Sequence, residues 1–390
     1  MEKNTLLKTS ALPVFSKMKK GDMFPAIKYL VDENKSIIAK IENLKAPTWN
    51  NLVYKLEESD DKISKAWAPI RHLNSVMNDK EIRTQYEKSL DLLTSHYGKI
   101  GQNKKLFSQY EKLYEQNRVN LTQSQSKLLE NILRGFKLSG VHLDAKKRKL
   151  FRSCQEKLAK LESKFEQNIL DSSNSWTKNF KTINPLKGIP QSALEIAEET
   201  AAKRNEVGYT LTLDQPCYMA VMTFSNNQSL RKTMYLAYAS RASKKFPVSG
   251  KWDNTEIIED ILVLRQKMSK ILGYKNYAEY SLATKMAKST NEVIDFLESL
   301  KIKAISKSKK EMSVLRKFAK KNYNLKTVSP WDIAYIAEKY KEENFGISQE
   351  ELKQYFPVEN VITGLFKLVK SLYGIDVKLK KTKEVWHEDV

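Results

Sequence analysis

The sequence predicts a mainly α fold of long amphipathic helices in two packed lobes, with one short extended or β element near residues 209–224. Three observations carry this reading. Apolar residues recur at spacings of three and four over most of the 390 residues, the period that gathers side chains on one face of an α-helix. Gly (12) and Pro (10) are scarce, so the chain is seldom forced out of regular structure. Hydrophobic residues make up 41% and aromatics 10%, which supports a packed core rather than a disordered segment.

Taken in order, the first boundary signal is Ser139-Gly140-Val141. Beyond it Leu150, Cys154, Leu158, Leu161, Phe165 and Ile169 form one stripe of a long helix, in which Cys154 is a small buried hydrophobe. Pro185 to Pro190, with Gly188 between, is turn chemistry. Tyr209-Thr210-Leu211-Thr212-Leu213 is β-branched, aromatic or aliphatic throughout, and Asp214-Gln215-Pro216 breaks it before another apolar run. A helix follows on Ile257, Ile258, Ile261, Leu262, Leu264, Met268 and Ile271, with Asp253 or Asn254 as its cap and Gly273 as its stop. Two further stripes are Val293, Phe296, Leu297 and Leu300, and Val361, Leu365, Leu368 and Leu372. Near the end Ile375-Asp376-Val377-Lys378-Leu379 alternates as a half-buried strand does, and no partner strand follows. That predicts a chain cut short of the element that would cover the edge.

Charge and cysteine content narrow the function classes. The net charge is +22 and the pI near 9.5, yet the excess is 57 Lys against 11 Arg, scattered along the chain. Nucleic-acid surfaces favour the planar fork of Arg. The densest clusters, Lys146-Lys147-Arg148-Lys149, Lys307 with Lys309-Lys310, Lys317 with Lys320-Lys321, and Lys378 with Lys380-Lys381, read as wet helix faces or loops, so no nucleic-acid partner is expected. Two cysteines, Cys154 and Cys217, cannot build a disulfide framework, which points to a reducing, cytoplasmic setting. Met1-Glu2-Lys3 and the residues after it lack the apolar core of a signal peptide, and no apolar run approaches the ~20 residues that cross a bilayer, so no membrane association is expected.

The chemistry-bearing motifs are few. Of His72, His96, His142 and His387, none has a second His four residues on, so H-E-x-x-H is missing from the sequence; His387-Glu388-Asp389-Val390 is a near match in an extended context. His72 and His96 read as hydrogen-bonded structural residues. Phosphate-cradling glycine loops and a G-x-S-x-G elbow are missing as well. Spacing therefore assigns no catalytic or metal-ligating residue and leaves substrate-binding residues unknown.

Several segments are more distinctive than periodicity requires. They are Pro69-Ile70-Arg71-His72-Leu73-Asn74-Ser75-Val76, Trp176-Thr177-Lys178, Leu211-Thr212-Leu213-Asp214, Lys251-Trp252-Asp253-Asn254, Leu272-Gly273-Tyr274-Lys275-Asn276-Tyr277-Ala278, Ser281-Leu282-Ala283-Thr284-Lys285-Met286-Ala287 and Pro330-Trp331-Asp332-Ile333-Ala334-Tyr335. In this order they resemble the thimet oligopeptidase (neurolysin) family of zinc metallopeptidases, peptidase family M3, from Leu12-Pro13 to Val390. Ile336 departs from the pattern, which sets a second aromatic after Tyr335. The resemblance implies a truncated neurolysin-like fold, with residues 1–145 as an N-terminal helical domain and 146–390 as the first part of the peptidase region. It also implies cleavage of short peptides by a zinc held on H-E-x-x-H, in a region this sequence does not contain. The chain alone is then expected to bind no zinc and to be inactive, with a complementary C-terminal chain carrying the zinc site as partner. The alternative is a non-catalytic helical module that binds peptides or acts as a scaffold. Trp252, Tyr274, Tyr277 and Trp331 are expected as core anchors and Asp253 as a helix cap.

Overall fold

The structure, a computed structural model, describes residues 4–8, 12–117, 120–248, 252–379, 384–388 and 390; Met1, Glu2, Lys3, Lys251, Lys380, Lys381 and Asp389 lie outside them. It is mainly α, with fifteen α-helices and a single two-stranded sheet among the described residues. The chain divides into two compact units, residues 1–162, 260–286 and 380–390 in the first and 163–259 and 287–379 in the second.

The first unit opens with α1 (Met23–Ile41), whose buried residues Met23, Ala26, Ile27, Leu30, Val31, Asn34, Ile38 and Ile41 keep the three-and-four spacing of one face. A π-helical segment, Trp49–Tyr54, runs into α2 (Lys55–Val76), and α3 (Lys80–Ile100), α4 (Lys104–Asn117) and α5 (Gln123–Leu138) follow. Their starts are set locally. The Asp79 carboxylate accepts from Ile82 N at 2.9 Å, and Thr122 and Gln125 exchange reciprocal bonds of 3.2 and 3.0 Å at the start of α5. The core holds Ile27, Ile63 and Ile70 in one cluster and Leu52, Leu106 and Leu129 in another, each fully buried and worth about 1.5–3 kcal/mol of transfer free energy.

Asn34 ties three helices of this unit together through one polar network. Asn34, fully buried on α1, donates to Ser59 Oγ at 2.9 Å and to Asp60 Oδ1 at 3.2 Å, both on α2. Its own Oδ1 lies 2.9 Å from His96 Nε2 on α3. Burial pushes the Asp60 carboxyl up to about 6, with nearby Glu57 adding like-charge repulsion against the bonds from Tyr97 and Asn34. Burial, then Lys35 and Lys99, push the His96 imidazole down to about 4, opposed by Asp32. The two linkages have opposite signs. Asp60 prefers its proton in the folded state, so its term weakens stability as pH rises from about 3.8 to about 6. His96 prefers to be neutral when folded, so its term weakens stability as pH falls from about 6.5 to about 4. Asp60→Asn is therefore expected to leave the His96 term unopposed. Urea unfolding from pH 7.5 to 4.5 should show the variant losing stability more steeply with acid than the parent; parallel curves would contradict this.

Helix α6 (Ala145–Ser175) starts in the first unit and ends in the second. Its buried side is Phe151, Cys154 and Leu158, while Leu150, which the spacing placed in the stripe, is exposed. The stripe keeps Cys154 and Leu158 and buries Phe151, the larger side chain, in place of Leu150.

In the second unit β1 (Thr177–Phe180) pairs antiparallel with β2 (Tyr209–Thr212), Lys178 opposite Leu211 and Phe180 opposite Tyr209, and α7 (Gln191–Lys203) lies between them in sequence. The expected extended element thus occupies only the start of 209–224. From Gln215 to Phe224 the chain is helix α8, with Pro216 in its first turn, where the fixed φ of proline suits a helix and its missing N–H costs nothing. Helix α9 (Gln228–Ala239) follows, capped by Asn227, whose side chain accepts from Leu230 N at 3.1 Å. Trp176, Leu186, Leu211, Val221, Met234 and Ala237 lie in the core these elements share.

Helix α10 (Thr255–Ile271) returns to the first unit, where α11 (Tyr277–Leu282) also lies. Of its expected stripe Ile261 and Met268 are buried, whereas Ile258 and Leu262 are exposed. Gly273 ends it at φ +88°, with Tyr274 N donating to Ser269 O at 2.9 Å. Back in the second unit, α12 (Thr290–Tyr323), α13 (Ile333–Phe345), α14 (Gln349–Lys353) and α15 (Val358–Tyr373) complete the fold. Phe318 and Ala319 of α12 pack on Tyr335 and Ile336 of α13, so the aliphatic side chain at 336 fills its place completely, at 0% exposure.

Two expectations fail in this last part. Phe296, Leu297 and Leu300 on α12, and Val361, Leu365, Leu368 and Leu372 on α15, are exposed rather than core. Residues 374–379 form no strand and are exposed throughout. Amphipathic spacing shows that a face suits burial; it does not supply the surface that buries it.

Candidate functional site

The histidines stand apart from one another in function. His96 is held by Asn34, His72 lies edge-on to Trp386 with ring centroids 4.9 Å apart, and His142 is exposed. Among the described residues no three His, Cys, Asp or Glu side chains gather as a metal ion requires. The donors present therefore do not fit a tetrahedral zinc, which needs at least three protein ligands converging on one point.

The densest polar constellation is around Arg231 on α9. Its Nη2 donates to Asp332 Oδ1 at 2.7 Å, its Nη1 to Ser225 O at 2.6 Å and its Nε to Trp331 O at 3.2 Å. Asp332 also accepts from Gln228 Nε2 at 3.0 Å and Ser329 N at 3.2 Å, and the guanidinium carbon lies 4.1 Å from the centre of the Tyr335 ring. The ion pair is sealed, at 2% and 0% side-chain exposure. All three guanidinium nitrogens and both Asp332 oxygens are engaged, so the group fixes residues 329–335 on α9. Spacing missed Arg231 altogether. The one signal was a charge among Leu230, Met234 and Ala237 on a buried face.

The aromatic residues singled out in the sequence also act in packing. Trp252 and Trp331 border the core of the second unit, and Tyr277 receives the Arg265 guanidinium at 5.1 Å. Asp253 Oδ1 accepts from Thr255 N at 3.0 Å and Oγ1 at 2.7 Å, bonds that hold its carboxyl below the usual range. Asn254 instead turns inward, accepting from Asn168 at 2.8 Å and donating to Phe165 O at 3.1 Å.

A cleft of about 490 Å³ opens between α7 and α8 over β2. Ile196 and Met219 supply its apolar walls, Thr210 and Thr212 its floor, and Cys217 and Lys353 also line it. Thr212 N donates to Cys217 Sγ at 3.4 Å, and Thr212 Oγ1 to Asp214 Oδ2 at 2.8 Å. Burial pushes the Cys217 thiol up, so at neutral pH it carries its proton and is a poor nucleophile. The volume and lining suit binding of a small or extended ligand rather than bond cleavage. The sequence hint was Ala193 and Ala197, one turn apart, which keep the α7 wall low; where α8 stands opposite is a tertiary matter.

Residues 221–390 match the family model "Peptidase family M3", and residues 27–148 match "Neurolysin/Thimet oligopeptidase, N-terminal domain". The chain is 40% identical over 389 residues to oligopeptidase A of Escherichia coli (strain K12), a match covering 99% of this chain and 57% of that protein. It is 39% identical over 390 residues to oligopeptidase A of Haemophilus influenzae, again 99% and 57%. Over these stretches the chain is similar to peptidase family M3. Its likeness extends to plants, at 33% identity over 401 residues to a probable cytosolic oligopeptidase A of Arabidopsis thaliana, 56% of which is covered. The chain thus spans little more than half the length of these curated relatives. M3 proteins are zinc metallopeptidases, and among the described residues of this chain no constellation gathers that could hold the metal.

Proposed function

We propose that this chain is the N-terminal part of an oligopeptidase A-like zinc metallo-oligopeptidase that hydrolyses short peptides in intracellular peptide turnover. The observation that carries the reading is the pair of family matches, in family order, together with about 40% identity to oligopeptidase A across 99% of the chain. In this reading residues 1–145 are the N-terminal helical domain and 146–390 the first part of the peptidase region; the matches at 27–148 and 221–390 support that division. The zinc and the glutamate that activates its water belong to sequence outside this chain, supplied by a complementary C-terminal chain. Two free cysteines support a cytoplasmic setting, and among the described residues no helix is long and apolar enough to cross a membrane.

In a metallopeptidase, hydrolysis at neutral pH needs a water whose pKa the metal lowers to about 7, and the described donors do not gather to hold that metal. The purified chain is expected to show no cleavage of a quenched fluorescent octapeptide above buffer, with or without added zinc. Zinc-dependent turnover by the chain alone would overturn this. The cleft between α7 and α8 favours a second reading, a non-catalytic module that binds peptides. That reading requires saturable peptide affinity without metal, measured by fluorescence anisotropy and weakened by Met219→Glu.

A further inference from the structure

Two lysine clusters that stand apart in the sequence, Lys307 with Lys309-Lys310 and Lys317 with Lys320-Lys321, are joined on one side of α12. Between residues 301 and 321 the helix carries nine Lys or Arg against Glu311 alone, a net +8 of the chain's +22. Lys303, Lys307, Lys310, Lys317 and Lys321 recur at steps of three, four and seven, so they stand in one row, and all five are exposed. Phe318 and Ala319, which turn away from the row, are buried against Tyr335 and Ile336 of α13. Among the described residues Glu311 approaches Lys307 at 3.9 Å, and the nearby carboxylates of α13 are engaged elsewhere, Glu338 with Lys341, Glu342 with Lys339 and Glu343 with Asn322. The row therefore repels itself, Lys303 against Lys307 and Lys317 against Lys321 one turn apart, a cost to the helix that an anionic partner removes.

Charge sets the sign of the occupant, and side-chain type narrows its class. At 1.5 Å per residue the row is about 27 Å long, the reach of about eight residues of extended chain. Nucleic-acid surfaces add arginine forks and aromatic rings that stack on bases; this face has Arg316 alone and no exposed ring between residues 303 and 321. A helix that lies on a membrane sets apolar side chains into it beside its basic ones; within the row only Val314 is apolar. An ammonium is a compact point charge that meets single carboxylates without needing a fork. We propose that the outer face of α12 between Lys303 and Lys321 docks an acid-rich, extended segment of a partner protein. No residue of this row enters the peptidase reading, and the surface serves whether or not that reading holds.

The test is to titrate the full chain into a fluorescein-labelled peptide of eight glutamates and follow anisotropy. Saturable binding is expected, weakened roughly tenfold between about 50 and about 250 mM salt as screening takes hold. Lys310→Glu with Lys317→Glu, at solvent-facing positions, should weaken it roughly tenfold without lowering the thermal midpoint, and Lys310→Gln with Lys317→Gln, which adds no acid, roughly threefold. Lys146→Glu with Lys149→Glu makes the same change of net charge on α6 and should weaken binding less than about twofold. Lack of saturable binding at low salt, binding indifferent to the α12 variants, or an equal loss from the α6 pair would each overturn the proposal, the last by reducing the attraction to net charge. Tighter binding of an oligouridylate of matching length, or of vesicles containing phosphatidylserine, would overturn it in favour of a phosphate-bearing partner.

Discussion

Asp332→Ala is expected to destabilise the second unit by about 3–5 kcal/mol, a large part of the 5–15 kcal/mol that typically holds a domain together. The cause is not the loss of one attraction but the charge left behind. Arg231 is 2% exposed, and with the carboxylate gone its guanidinium keeps only the Ser225 and Trp331 carbonyls and the Tyr335 ring as partners. Gln228 Nε2 and Ser329 N lose their acceptor at the same time, a smaller effect because Gln228 is exposed and Ser329 half-buried, so water can replace it. Urea unfolding followed by tryptophan fluorescence should report the change, because Trp331 sits beside Asp332 and on the Lys232 and Tyr235 side chains. The double variant Arg231→Met with Asp332→Leu should recover a good part of the loss, since removing both charges leaves nothing unpaired. A loss under about 1 kcal/mol for Asp332→Ala would show that water reaches the guanidinium after all.

Gly208→Ala is expected to cost about 2–4 kcal/mol, from backbone strain and a steric collision together. Gly208 sits at φ +93°, just before β2, and an added Cβ would lie 2.2 Å from the carbonyl oxygen of Phe180, the last residue of β1. The collision is with backbone, so no rotamer change relieves it, and the Phe180–Tyr209 end of the ladder must open. Gly273 provides the control. It has nearly the same φ, +88°, with nothing within 4 Å of an added Cβ, so Gly273→Ala should cost only the strain, about 1 kcal/mol. Equal losses at the two positions in thermal melts would mean that the contact between Gly208 and Phe180 is loose.

How much of this was legible beforehand follows the range of the interactions. The α1 face, the stop at Gly273 and the strand at Tyr209–Thr212 were open to reading, or consistent with it, because each depends on residues within about four positions. Strand β1 was not legible, since Thr177-Lys178-Asn179-Phe180 has little strand character of its own and is extended because Leu211 lies across from Lys178. Resemblance reached further than periodicity. It marked Pro330-Trp331-Asp332 as distinctive, yet only the structure shows Asp332 closing on an arginine about one hundred residues earlier. The cleft was invisible for the same reason, its walls being two helices whose facing is set by the core beneath them.

The stripes on α12 and α15 mark the limit most clearly. Their spacing states that Phe296, Leu300, Leu365 and Leu368 belong against something apolar, and the structure leaves them in solvent. The amino-acid sequence by itself determined helix period, caps, stops and family, because local hydrogen bonding and side-chain spacing are written into neighbouring residues. Tertiary structure alone decided which faces are covered, which charge meets which, and where Asn34 joins Asp60 to His96. Burial and ion pairing depend on distance in space, and distance in space is set by the whole packed core rather than by any one segment.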